Sequence, residues 1–147
     1  KLPFKMRTFP TKNDQLIVEG PIKYSALCPH HIMPHMGSVY IGTLPPKGGR
    51  VVGLSKFSRL VKWASSNPCK QEDLSNLIAD TLFEEVKPEF RAVLVLICPS
   101  VHTCVRIRGA CDATAKTATS SLRGEDAPEV KDEFLQIVEM LRKDSSV

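Results

Sequence analysis

Cysteine and histidine stand in this chain where they could hold a metal ion. Cys28-Pro29-His30-His31 offers a thiolate and an imidazole at Cys-x2-His spacing. Further on, His102-Thr103-Cys104 offers a second thiolate with a histidine two residues before it. Two cysteines and one histidine make three zinc ligands and leave two histidines over. Structural zinc is normally closed by four protein ligands, whereas catalytic zinc keeps one position open for water. The pattern therefore suits a metal that does chemistry. The same residues also suit a turn capped by His30 and His31 above a core partly filled by small thiols, and spacing alone leaves both readings open.

A second cluster is basic. Ser55 is a good N-cap for a helix whose apolar stripe is Leu60, Val61 and Ala64. Lys56 and Arg59 are three apart and share a face in its first turn. Cations there oppose the helix dipole, a placement that makes sense where a phosphate fills the gap beside the free helix N–H groups. A solvated basic face that includes Lys62 and Lys70 is the alternative. Gln71-Glu72 opens the next helix, which runs from Gln71 to Val86 with Leu74, Leu77, Ile78 and Leu82 on one side. The pair can be an ordinary first turn or a bidentate reader of an amide-like ring edge.

The remaining elements must position these groups. Residues 1–15 read as an N-terminal arm, and 16–147 as one domain. Leu16 to Leu27 reads as a strand interrupted at Gly20-Pro21, and Cys28 sits where it ends. Pro29 and Pro34 keep the following stretch a loop. Gly37–Leu44 alternates as a second strand, and Arg50–Leu54 is a short strand leading into the Ser55 helix. Arg91–Ile97 is a continuous apolar strand, covered on both sides and ended by Pro99. Val105-Arg106-Ile107-Arg108 alternates as a strand with both arginines on one face, and Ala113–Ser121 continues it. A last helix starts near Pro128, with a stripe of Val130, Phe134, Ile137, Val138 and Leu141. The expected class is α+β, an antiparallel sheet with helices on one face. So thin a sheet leaves open edges that joining subunits into a closed ring would cover.

Composition narrows the field. The chain has 147 residues, enough to bury one core, and its 42% hydrophobic and 24% charged shares are those of a globular protein. Its five cysteines, Cys28, Cys69, Cys98, Cys104 and Cys111, are odd in number and scattered. That argues against a disulfide framework and for a reducing, cytoplasmic setting. No apolar run is long enough to cross a bilayer, and the start does not read as a signal peptide. A net charge of +4 is mild and dispersed. It suits an anionic ligand and is too weak to indicate nucleic acid, so neither a nucleic-acid nor a membrane partner is expected.

These residues, in this order, resemble the GTP cyclohydrolase I family from about Leu16 to Leu141. The matching pieces are Cys28-Pro29-His30-His31, Tyr40-Ile41-Gly42 with Leu44-Pro45, Val52-Gly53-Leu54-Ser55-Lys56 with Arg59, Gln71-Glu72, His102-Thr103-Cys104-Val105 through Arg108-Gly109, Asp112-Ala113-Thr114, and Thr117 to Ser121. The resemblance implies the tunnelling fold, with subunits forming pentameric barrels that pair into homodecamers. It implies that Cys28, His31 and Cys104 bind Zn2+ and that His30 and His102 are catalytic, with Ser55 assisting. It places Ser55, Lys56, Arg59 and Arg108 against the ribose and triphosphate, Gln71 and Glu72 on the guanine edge, and Leu54 among the substrate-binding residues. The implied reaction converts GTP and water to 7,8-dihydroneopterin triphosphate and formate, at the entry to pterin and tetrahydrofolate synthesis. Zinc makes hydroxide available near neutral pH for addition at guanine C8, and His102 is the candidate acid for ring opening.

The chain departs from the family at three points. Pro29 stands where glutamate is usual, removing a carboxylate and a backbone donor. Only residues 1–15 stand where typical members carry a longer helical region with a phosphate-binding arginine. His35 stands where an aromatic or aliphatic residue is usual, and is expected to be a partly exposed loop histidine. The first two leave two alternatives: a divergent enzyme of the same fold acting on another purine nucleotide, and an inactive nucleotide-binding paralogue.

Overall fold

Alternating patterns over Ile17–Leu27 and Pro34–Leu44 and a continuous apolar run entering Ala92–His102 produce three strands of 11 residues each. The computed structural model describes residues 2–87, 89–107, 111 and 114–144. The elements in chain order are β1 (Thr8–Pro10), β2 (Ile17–Leu27), β3 (Pro34–Leu44), β4 (Arg50–Val52), α1 (Leu54–Ala64), α2 (Gln71–Val86), β5 (Ala92–His102), α3 (Thr103–Ile107), β6 (Thr117–Arg123) and α4 (Ala127–Lys143). A four-stranded antiparallel sheet has the order β2-β3-β5-β6, and β1 pairs with β4 in a two-stranded ribbon. Among the described residues, no helix is long and apolar enough to cross a membrane.

The expected α+β antiparallel architecture holds, with one correction. Helices α1 and α2 cover one face, where Phe57, Leu60, Leu74, Ile78 and Leu82 pack on Val39, Ile41, Val93 and Val95. Helix α4 lies on the other face, with Phe134 and Val138 against Tyr40, Leu44, Ala92 and Leu94. The continuous apolar run of β5 requires both covers, because its even and odd residues point to opposite faces. At Gly42 the Phe134 ring lies directly on the strand: a Cβ there would stand 2.7 Å from Phe134 Cδ1.

Both proline interruptions are bulges, not strand ends. Along β2 the register moves from Glu19↔Ile41 to Ile22↔Val39, so one extra residue is accommodated at Gly20-Pro21. Along β5 it moves from Ile97↔Val39 to Ser100↔Gly37, one extra residue at Cys98-Pro99. Each bulge reverses which residues face which helix layer. Before the first, Leu16 and Val18 pack in the α4 core; after it, Ile22, Tyr24 and Ala26 pack in the α1–α2 core. Pro21 is tolerated because β2 is an edge strand.

Other boundaries also differ from expectation. Strand β3 begins at Pro34, three residues earlier than its alternation suggests. Helix α1 is capped by Gly53, whose C=O accepts from Lys56 N–H and whose N–H donates to Arg7 C=O, so Ser55 lies inside the helix and is exposed. Residues 103–107 form the short helix α3 where a strand is expected. Among the described residues, β3–β5 pairing ends at His35↔His102, and the segment beyond satisfies its backbone by coiling. Strand β6 starts at Thr117, later than expected; Ala113 lies outside the described residues. Within residues 1–15, Met6 is buried in the α1–α2 core and Thr8–Pro10 pair with β4.

Candidate functional site

The β2–β3 loop, the end of β5 and the start of α2 meet at one end of the sheet. Loop 28–33 closes on itself: Cys28 N–H donates to Met33 C=O at 2.9 Å, and Ile32 N–H donates to Cys28 C=O at 2.8 Å. Cys28 is half-buried, while Pro29, His30 and His31 are exposed. The rings of His30 and His31 lie 6.4 Å apart. Strand β5 delivers His102 beside this loop, and Thr103 Oγ1 donates to Pro34 C=O at 2.8 Å, fastening the half-buried Cys104 segment to the start of β3.

The bulge at Cys98-Pro99 aims His102. In regular phase with Ala92 and Leu94 it would face α4; the extra residue turns Ser100 and His102 toward α2 instead. There His102 Nε2 lies 2.6 Å from Gln71 Oε1. Gln71 is buried at the first residue of α2, and its amide nitrogen donates to Thr119 Oγ1 at 3.1 Å on β6. The amide oxygen is therefore the atom presented to His102, which donates through Nε2–H. Glu72, next along the helix, is exposed, and with Asp73 it complements the helix dipole.

Burial lowers the His102 pKa below its ordinary value, the neighbouring His35 adds to the shift, and the Glu72 carboxylate opposes it. Burial also pushes up the thiol of Cys69, with Asp73 and Cys28 adding to the effect. Cys69 N–H donates to Leu27 C=O at 2.9 Å, which brings the α1–α2 connection against the end of β2.

His35 is a correction. It is buried, 1% exposed, and not a partly exposed loop residue. With the strand starting at Pro34, His35 falls in phase with Val39 and Ile41 and points into the α1–α2 layer. Its Nδ1 lies 3.0 Å from Tyr24 Oη, and Tyr24 Oη lies 2.7 Å from Ser100 Oγ. Burial raises the Tyr24 pKa from 10.0 to about 12, against the smaller lowering by the Ser100 hydrogen bond. The unfolded chain loses that proton near 10 while the folded chain keeps it to about 12, so stability falls as pH rises through this window. Tyr24→Phe is expected to remove up to roughly 2–3 kcal/mol of that alkaline loss, read from urea unfolding at the two ends of the window. Equal losses in both proteins would contradict it.

The structure does not bring the basic cluster to this end. Leu54, Ser55 and Arg59 are exposed in the first two turns of α1, and Lys56 Nζ sits 5.5 Å above the Phe4 ring. It is the far end of α1, at Ser65 and Ser66, that shares a surface groove with Leu27 and Pro34. An 11-residue helix separates the two groups by roughly 15 Å. Arg108 lies outside the described residues; Arg106, on α3, has a buried Nε with no hydrogen-bond partner among them.

The donor types of Cys28, His31 and Cys104 suit zinc; the first two lie in the β2–β3 loop and Cys104 lies on α3, just past the end of β5. Among the described residues, however, no three His, Cys, Asp or Glu side chains are gathered tightly enough to hold a metal ion. Sequence reasoning missed Tyr24, Ser100 and Thr119, which hold the histidines and Gln71 in place. Tyr24 carried a usable signal, since it falls in phase with Ile22 and Ala26.

The family model for GTP cyclohydrolase I matches residues 2–139. Among curated relatives, the GTP cyclohydrolase 1 of Thermobifida fusca is 35% identical over 79% of this chain and 55% of its own length. That of Streptomyces avermitilis is 33% identical over 89% and 64%, respectively. That of Clostridium perfringens is 34% identical over 91% of this chain and 71% of its own length. The chain thus spans about 55–64% of the length of the first two. Among solved structures, the apo form of an archaeosine synthase QueF-Like protein superposes with a TM-score of 0.57 at 16% identity, covering 77% of this chain and 97% of that one, which speaks for the fold alone. By its sequence match over most of its length, the chain belongs to the GTP cyclohydrolase I family.

Proposed function

We propose that the protein is a zinc-dependent GTP cyclohydrolase I, converting GTP and water to 7,8-dihydroneopterin triphosphate and formate in the cytoplasm. The observation that carries this reading is the His102–Gln71 hydrogen bond, which couples a candidate acid to a candidate reader of the purine edge. Residues 16–147 form the catalytic domain, and residues 1–15 are an arm laid against it. Cys28, His31 and Cys104 would hold zinc, which when bound activates water near neutral pH.

The chain's own groups divide the remaining work. Glu72, an acceptor when ionised, takes the ring N–H and exocyclic amino group of guanine. Gln71 reads the adjoining edge, and a purine arriving there competes with His102 for the amide oxygen. That exchange frees His102, which as an imidazolium passes its Nε2 proton to the ring nitrogen that must be protonated as the ring opens and is left as the neutral imidazole. His30, next to a proposed ligand, and Ser55 serve the later proton transfers at the ribose. Lys56, Arg59 and Arg108 bind the triphosphate, with Leu54 beside them.

Since Ser55, Lys56 and Arg59 stand at the opposite end of α1 from His102, a complete site draws them from a second copy. The unpaired edges of the sheet, β2 and β6, supply the joint. Pairing of β2 in one copy with β6 in the next closes a ring, a pentamer or a decamer.

Incubation with zinc and GTP, with formate and oxidised pterin fluorescence measured alongside metal content, tests the reading. Formate from GTP is the expected result. Product from another purine nucleotide alone points to a divergent enzyme. Tight GTP binding without turnover points to an inactive paralogue, the alternative favoured by Pro29 and by the ungathered ligand side chains.

A further inference from the structure

His35 and His102 form a stacked pair. Their ring centroids are 4.9 Å apart and their planes differ by 7°. They are register partners on β3 and β5, so the stack is built into the strand pairing. The two rings are held very differently. His35 is 1% exposed and engaged at both nitrogens, Nδ1 with Tyr24 Oη at 3.0 Å and Nε2 with Cys69 C=O at 2.8 Å. The Cys69 carbonyl only accepts, so His35 Nε2 carries a proton. Tyr24 is held in turn by Ser100. The His35 ring cannot turn without breaking two hydrogen bonds, one of them fully buried. His102 is half-exposed at the last residue of its strand, and its hydrogen bond is to Gln71. Among the described residues that is its one hydrogen bond, and one bond at a strand end leaves an imidazole free to rotate about its own axis, unless a surface backs it.

We propose that His35 is a positioning residue for His102: an immobilised flat ring that holds the His102 imidazole in the plane that directs Nε2 at Gln71. The orientation stands on the geometry of the pair, and its consequence for turnover rests on the cyclohydrolase reading. His35 touches no reacting atom. It acts by removing rotational freedom from a group whose aim matters to the proton transfer, and misplacement by about 1 Å in such a group can cost roughly 100-fold in rate.

The test compares wild type with His35→Phe, which gives up both hydrogen bonds but keeps a flat ring confined by the packing of its buried site, and His35→Leu, which keeps bulk without the plane. Imidazole NMR of the free protein reads the exchange of the His102 Nε2 proton with solvent. Exchange is expected to be at least ~10-fold faster in His35→Leu and within ~3-fold of wild type in His35→Phe. In the formate assay, kcat is expected to fall about 10- to 100-fold in His35→Leu with KM within ~3-fold, and to be largely restored in His35→Phe. Equal proton exchange in wild type and His35→Leu overturns the proposal, as does a Phe variant as impaired as the Leu variant. Should His35→Leu fail to fold, the wild-type protein still decides. A protected His102 Nε2 proton with ring-to-ring cross-peaks to His35 supports the pair, and their absence overturns it. Absence of formate from the wild type would sink the proposed activity and leave the exchange measurement to judge His35 by itself.

Discussion

His102→Ala is expected to lower formate release from GTP by about 10²- to 10⁴-fold, the range that a positioned general acid contributes. The loss should appear mainly in kcat, because the proposed purine-edge groups, Gln71 and Glu72, remain. Bound zinc should be unchanged, since His102 is not among the three proposed ligands. The fold should survive: His102 is half-buried at the end of β5, outside both apolar clusters. Its removal strands the buried Gln71 oxygen, a cost of about 1–3 kcal/mol. Formate assay, metal analysis and circular dichroism on one preparation check all three points. Turnover near that of the wild type would remove His102 from the mechanism, and loss of zinc would make it a ligand.

Cys104→Ala is expected to fail in the opposite order. Zinc should fall from about one per subunit to near none, and turnover should vanish with it, because two remaining protein ligands do not retain a catalytic zinc. The secondary structure should stand, since α3 is fastened to β3 by Thr103 Oγ1 and not by the thiol. Metal content after dialysis is the measurement. Retention of a full complement of zinc would take Cys104 out of the ligand set. The contrast between the two variants, one metal-replete and slow, the other metal-free, separates acid from ligand more sharply than either does alone. It also tests whether Cys28, His31 and Cys104 act as one ligand set.

Much of the chain declared itself in its residue pattern. Helix α2 could be bounded from its apolar stripe and first-turn acids, and the cysteine and histidine motifs fell on strand ends and loops where site residues concentrate. Helix α4 was legible as amphipathic, yet its stripe carries no information about which face of a sheet it covers. Ser55 has the side chain of a cap, but the β1–β4 ribbon started the helix at Gly53. The alternation of Val105-Arg106-Ile107 suggested a strand, but without a neighbour to pair with the segment coiled.

The order of residues names the groups available: three candidate zinc ligands, histidines to spare, an amide and a carboxylate on one helix turn, cations on another. Where they point is set by strand pairing and packing. A proline in a strand pattern can be read as an end, and the two here are single-residue bulges that reverse the facing of everything after them. The second carries His102 from the α4 side to the α2 side, onto Gln71 and against His35. Facing depends on the count of residues between pairing partners, and that count is fixed by the neighbouring strand.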